Sequence, residues 1–319
     1  MIKINKEGVT EIEQVSQELI RRVRTHINRD VKKAKLLENQ KKWLQLTSSL
    51  DVLEDSTCAI SFFSCSGFPD EIGGKYLYTY GLLQALFLQQ DAIRGICYAL
   101  FDKEINFKMD YPAAYAVREL RNDVVGHPTS RNDGKAVVYL VQSSLRRTNF
   151  NYLKQKPDEK RDDDFVSVDV AKAITDTSIC VNTVLLDAVS ALDIEFQQYI
   201  KAHRERKMKK IFDTLGYARE KVLLDDVLKP AGYDSSKRMV RECEAEVIKR
   251  YGAVESQESF AYILEKVHIA YDLLDNGLQQ IPIDIRKSTE QCLLEYLFDR
   301  LQELADLSKE VDEFFENAN

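Results

Sequence analysis

Residues 9–66 and 158–215 form two stretches of 58 residues that contain neither glycine nor proline. Both helix-breaking residue types are missing over a length no single strand reaches, while Leu, Glu, Lys, Gln and Arg, all good helix formers, are frequent there. A mainly α-helical chain follows. In the first stretch Ile12, Val15, Leu19, Val23 and Ile27 recur at three- and four-residue steps, and Thr10 with Glu13 has the spacing of a capping box. A second helix is expected from Asp30 to Asp55, with Leu37, Leu44, Leu50 and Leu53 facing inward. The segment from Lys75 to Phe101 is apolar almost throughout, as expected of a central helix buried on more than one side.

Pro112 suits the first turn of a shorter helix, where its missing N–H has no partner to lose. That helix must stop near Gly126, because His127 precedes Pro128 and a residue before proline is pushed out of the α region. From about 135 to 168 the segments AVVYLVQ, TNFNYL and FVSV are β-branched and aromatic and are separated by polar turns, so a small two- or three-stranded insertion is expected. A long helix then runs from about Asp169 to Phe212. The last third should hold helices ended by Pro230, Gly252 and Gly277, and a final one opened by the capping-box pair Ser288 and Gln291.

These 319 residues suit two domains: a helical domain over 1–212 carrying the β-rich insertion, and an acidic helical domain over 213–319. Charge separates them. The net charge is −7, yet from residue 211 onward 13 basic residues face 23 acidic ones, which leaves 32 basic and 29 acidic before it. The acidic total therefore does not exclude a nucleic-acid partner for the first two thirds. The acidic last third points to a protein partner, to self-restraint of a basic cleft, or to solubility alone.

No apolar run approaches the ~18 residues of a membrane helix, so no membrane association is expected. The N-terminal sequence MIKINKEGVTEIEQ lacks the apolar core of a secretory signal, and Cys58, Cys65, Cys97, Cys180, Cys243 and Cys292 show no C-x-x-C pairing. A cytoplasmic protein with reduced, mostly buried thiols is the expectation. His26, His127, His203 and His268 are scattered, neither a P-loop nor a G-x-G-x-x-G occurs, and Asp162, Asp163 and Asp164 read as a solvated charge run. Neither a metal nor a cofactor is expected.

Unusual chemistry concentrates in RELRNDVVGHPTSR, residues 118–131. On an unbroken helix Arg121 and His127, six residues apart, would point apart by roughly 240°. The corner at Gly126 and Pro128 removes that objection and lets an Arg on the last turn and a His beyond it converge. This Arg, polar Asn122, five intervening residues and His resemble the signature of the HEPN superfamily, as does the placing of a long apolar helix before the motif helix and another after it. The likeness covers roughly residues 8–212, and its specific motif is short.

The resemblance implies a HEPN-like helical bundle and metal-independent RNA cleavage in a homodimer, with Arg121 and His127 of both copies lining one cleft. Imidazole titrates near ~6.5, so a histidine can take the proton of a ribose 2′-OH at neutral pH. Arg121 would stabilise charge on the phosphorane oxygens, leaving a 2′,3′-cyclic phosphate. Asn122 would orient the phosphate or the histidine, with Asp123 a second candidate for the same service. Arg22 and Arg24, and Arg204 and Arg206, lie on basic helical faces able to meet RNA phosphates. Some family toxins have a Tyr two residues after the His, whereas Thr129 stands there in this chain.

The implied biology is a toxin or antiphage role, with an antitoxin or other protein partner on the acidic domain. Two other readings stay open: a non-catalytic helical interaction module and a nucleotide sensor. In the first, Arg121 pairs with Glu119 or Asp123 and His127 merely caps the helix. Arg118 is expected to be surface charge in any case. Gln90 and Asp91 are polar within the apolar helix and could reach the motif, while the stripe Tyr76, Tyr80, Leu83 and Phe87 reads as core.

Overall fold

The computed structural model describes residues 11–131, 133–156, 164–224 and 227–318. It is mainly helical, and its chain divides into two compact units: one runs through Asn28 and then Leu36–Leu192, the other comprises Arg29–Lys35 and Asp193–Asn319.

In the first unit, α1 (Glu11–Ile27) places Leu19, Val23 and Ile27 in the core as its periodicity requires, whereas Val15 is half exposed. Thr10 of the expected capping box lies outside the described residues. The expected second helix is two helices, α2 (Asp30–Leu37) and α3 (Gln40–Cys65), because Asn39 caps α3 by accepting from the Lys42 N–H at 3.2 Å. That break resets the helical phase. Leu37 and Leu44 are exposed, and Leu46, Leu50 and Leu53 are the buried leucines.

The central helix α4 (Ile72–Phe101) packs along α3, and both faces of its apolar sequence are used. Ala92, Ile93 and Ile96 join one core cluster with α1, α3 and the long helix α7 (Val170–Arg204). Leu82, Leu83 and Leu86 join a second cluster with the insertion. After α5 (Phe107–Asp110) comes α6 (Pro112–Arg121), with Pro112 in its first turn as expected. The insertion is an antiparallel sheet in the order β1 (Val137–Leu140), β2 (Asn149–Gln155), β3 (Asp164–Asp169). Val138, Phe150, Tyr152 and Val168 bury one face of it.

The division between the units falls inside α7, at Leu192–Asp193, and not near Phe212. The physical reason is where its side chains go: Val181 to Leu192 belong to the core shared with α1, α3 and α4, and α7 ends at Arg204 before a 3₁₀ turn, Met208–Phe212, whose Met208 and Phe212 join the core of the second unit.

Besides Arg29–Lys35, which holds most of α2, the second unit comprises α8 (Leu215–Leu224), α9 (Lys229–Tyr251), α10 (Glu258–Asp272) and α11 (Ile283–Asn317), these four around a core of Met239, Cys243, Phe260, Phe298 and Leu301. Pro230 opens α9 instead of ending a helix, consistent with proline's tolerance in a first turn. Gly252 ends α9 with φ 85°, a left-handed conformation that glycine adopts without penalty. α11 begins at Ile283, earlier than the Ser288 box predicts, and the Ser288 hydroxyl donates instead to the Ile285 carbonyl at 2.8 Å. Cys58, Cys65 and Cys292 are exposed rather than buried. Among the described residues no helix is long and apolar enough to cross a membrane.

Candidate functional site around Arg121 and His127

Arg121 ends α6, and the next five residues, Asn122–Gly126, form a π-helical turn. The His127 N–H donates to the Asn122 carbonyl at 2.9 Å, a wider loop than the α-helical bond. The chain then leaves the helix at His127 (φ −139°, ψ 49°), as a residue preceding proline must. Single π turns of this kind gather at functional sites. The expected stop at Gly126 is therefore present, in the form of a widened last turn.

The Arg121 guanidinium is held from a helix distant in sequence. Its Nε and Nη2 donate to Gln84 Oε1 of α4 at 3.0 and 2.9 Å, and its Nη1 donates to Asn122 Oδ1 at 3.2 Å. The Phe87 ring lies 4.3 Å below it, a cation–π contact. Three of five N–H donors are thus engaged, which leaves one on each terminal nitrogen without a partner among the described residues. Gly126 allows this: a Cβ there would stand 2.7 Å from Arg121 Nη1. His127 is exposed, and its ring has no hydrogen-bond partner among the described residues.

Asn122 serves both ends of the motif, its side chain accepting from Arg121 and its carbonyl from the His127 amide; its Nδ2 also donates to Glu119 at 3.4 Å. Asp123 is buried, and its carboxylate accepts from Arg131 Nε at 2.6 Å and Lys154 Nζ at 2.8 Å. The Tyr152 hydroxyl stands 3.5 Å from it, and its pKa is pushed up to about 12 by burial and then by the Asp123 charge. Neither Glu119 nor Asp123 pairs with Arg121; both pair with Arg131 instead.

Arg118 is not surface charge. Its side chain is 17% exposed, pairs with Asp91 at 2.9 Å and stacks 4.1 Å over the same Phe87 ring that Arg121 uses. α6 packs on α4, which brings this arginine inward one turn before Arg121. Gln90 and Asp91 both reach the motif helix, Gln90 Nε2 donating to the Ala114 carbonyl at 2.9 Å and Asp91 accepting from Arg118. Of the aromatic stripe, Leu83 is core, while Tyr80 is exposed against Tyr76 at a ring separation of 5.8 Å.

The basic faces have partners of their own. Arg24 is engaged by Glu54 and Asp51, each at 2.7 Å, and Arg22 is half-buried. Arg204 donates to the carbonyls of Phe315 and Ala318 at the end of α11, where a cation meets unsatisfied acceptors, and Arg206 is exposed. His26 and His203 are buried, whereas His268 is exposed and meets Glu244 at 2.6 Å.

Sequence reasoning passed over Gln84, read Phe87 only as core, and missed Arg131 and Lys154. A signal existed for the first two: Gln84, Phe87 and Asp91 share one face of α4, the face that meets α6. Comparison of the chain with family models, with curated proteins and with solved structures gave no match.

Proposed function

We propose that this protein is a metal-independent endoribonuclease of HEPN type, acting as a homodimer in which Arg121 and His127 of both copies line one cleft. The observation that carries this reading is the pairing of two groups across one π turn. At one end stands a guanidinium fastened by Gln84 and Asn122 with a donor to spare on each terminal nitrogen; at the other stands an exposed histidine. His127 takes the proton of a ribose 2′-OH, and the 2′ oxygen attacks the adjacent phosphorus. The 5′ oxygen departs and is protonated, which leaves a 2′,3′-cyclic phosphate and a 5′-hydroxyl. Arg121 donates to the non-bridging oxygens as they gain charge, and its prior anchoring means little reorganisation is needed at that moment.

One observation favours the non-catalytic reading, in which the chain is an inactive scaffold or a nucleotide sensor: Arg118 and Arg121 stack on one Phe87 ring, which is also how arginines fasten two helices together. A toxin or antiphage role, with a protein partner or antitoxin on the acidic C-terminal third, extends the catalytic reading.

The test is incubation of the purified protein with end-labelled RNA in EDTA, beside Arg121→Ala and His127→Ala. Cleavage that persists in EDTA, yields cyclic phosphate ends and disappears in both variants supports the proposal. Cleavage abolished by EDTA, or retained by both variants, refutes the mechanism. Binding of RNA or a nucleotide without turnover supports the scaffold or sensor.

A further inference from the structure

The corner that presents His127 is fastened from outside its own helix. Arg131 turns its guanidinium back toward α6, Nε donating to Asp123 Oδ1 at 2.6 Å and Nη2 to Glu119 Oε2 at 2.5 Å. The second oxygen of Asp123 accepts from Lys154 Nζ of β2 at 2.8 Å, so one carboxylate ties the π turn to both the loop and the sheet. The backbone repeats the connection. Arg131 and Ala136 exchange two hydrogen bonds, at 2.9 and 3.1 Å, and the Val138 amide of β1 donates to the Pro128 carbonyl at 2.7 Å.

These charges are shielded from water, with the Asp123 side chain 6% exposed and that of Arg131 13%. Ion pairs so placed hold geometry far better than exposed ones, and a guanidinium fork across two carboxylates fixes direction as well as distance. Burial pulls the Arg131 pKa down, but the hydrogen bond and charge of Asp123 with the charge of Glu119 outweigh it and leave it raised. Residues 127–130 are therefore bracketed on one side by the π-turn bond to Asn122 and on the other by this clamp. The local helix accounts for only the first bracket.

We propose that Arg131 is a positioning residue for the Arg121–His127 site: by bridging Glu119 and Asp123 it sets the corner carrying His127, and Lys154 makes the β insertion the strut of that clamp. The functional half of this inference rests on the ribonuclease reading; the mechanical half does not.

Two measurements on the full chain separate them, made on wild type, Arg131→Lys, Arg131→Gln and Lys154→Met. Lysine keeps the charge and the fold but cannot span two carboxylates as a fork. The expected result is amide hydrogen exchange about tenfold or more faster at His127 and Ser130 in both Arg131 variants, with the Leu86 amide in α4 unchanged. Lys154→Met should act in the same direction and more weakly. In RNA cleavage, kcat should fall on the order of 10²-fold with KM held within about twofold, the signature of a misplaced catalytic group. Exchange at His127 and Ser130 that is unchanged in Arg131→Lys and Arg131→Gln overturns the clamp. Faster exchange beside an unaltered kcat overturns the positioning role. A wild type that cuts no RNA removes the ribonuclease reading, and the exchange result still decides the clamp.

Discussion

Arg121 and Gln84 are 37 residues apart in the chain, yet two nitrogens of the arginine donate to a single oxygen of the glutamine. Gln84 uses its neutral amide oxygen, so it orients the cation without neutralising it. An arginine held this way keeps its charge for an anionic ligand, whereas one held by a carboxylate spends it on that partner.

Gln84→Met should therefore free the guanidinium to rotate at little cost to folding. The expected outcome is a fall in kcat/KM of about 10- to 10²-fold. The unfolding free energy should fall by about 1.5 kcal/mol, the lower end for hydrogen bonds to a charged group. Steady-state cleavage and urea denaturation of the same preparation check both numbers.

Gly126→Ala tests the same guanidinium from the other side. A methyl group placed 2.7 Å from Nη1 must displace it, and the displaced atom is the end of a flexible side chain rather than backbone. Stability should change by less than about 1 kcal/mol while activity drops, which thermal melts and cleavage assays on one sample will report.

Asp123→Ala should cost stability as well as activity, because the same carboxylate anchors Arg131 and Lys154. It leaves Arg131 and Lys154, both largely buried, without their shared anion, at a cost of about 3 kcal/mol. Denaturant unfolding measures this cost. Asp123→Asn, which keeps an acceptor oxygen, should recover part of it.

A pH dependence is expected from the second unit. His203 is buried between Tyr199 and Phe315, with Arg250 and Glu246 beside it and Arg206 near, and burial, then the Arg250 charge, lowers its pKa. A folded pKa below the unfolded value means that the unfolded chain binds more protons, so stability rises with pH across that window. The His203 contribution is present above about 6.5 and is lost as pH falls through the depressed folded value. Replacing the histidine, His203→Gln, should remove that part of the slope; equal slopes for wild type and variant in melts between pH 7.5 and 5 would refute the assignment.

How much of this was legible without coordinates depends on the range of the interaction concerned. Short-range rules sufficed for the mainly helical character of the chain, for a small insertion of two or three strands, and for the stop before His127-Pro128, since each follows from period, propensity or a steric clash between neighbours. The same rules misjudged Leu37 and Leu44, because one capping side chain, Asn39, restarted the helical phase. They also placed Arg118 on the surface, since nothing within α6 announces that Asp91 and Phe87 of α4 lie opposite.

The residues Arg121 and His127, and the break between them, were thus determined by the sequence itself. What surrounds them was decided only in three dimensions. Gln84 meets Arg121 because α4 packs on α6, and Lys154 meets Asp123 because the sheet folds onto the π turn. Local sequence sets backbone conformation through clashes and hydrogen bonds a few residues long. The partner of a buried charge is chosen by whichever distant element seals it from water, and that choice exists only once the core has formed.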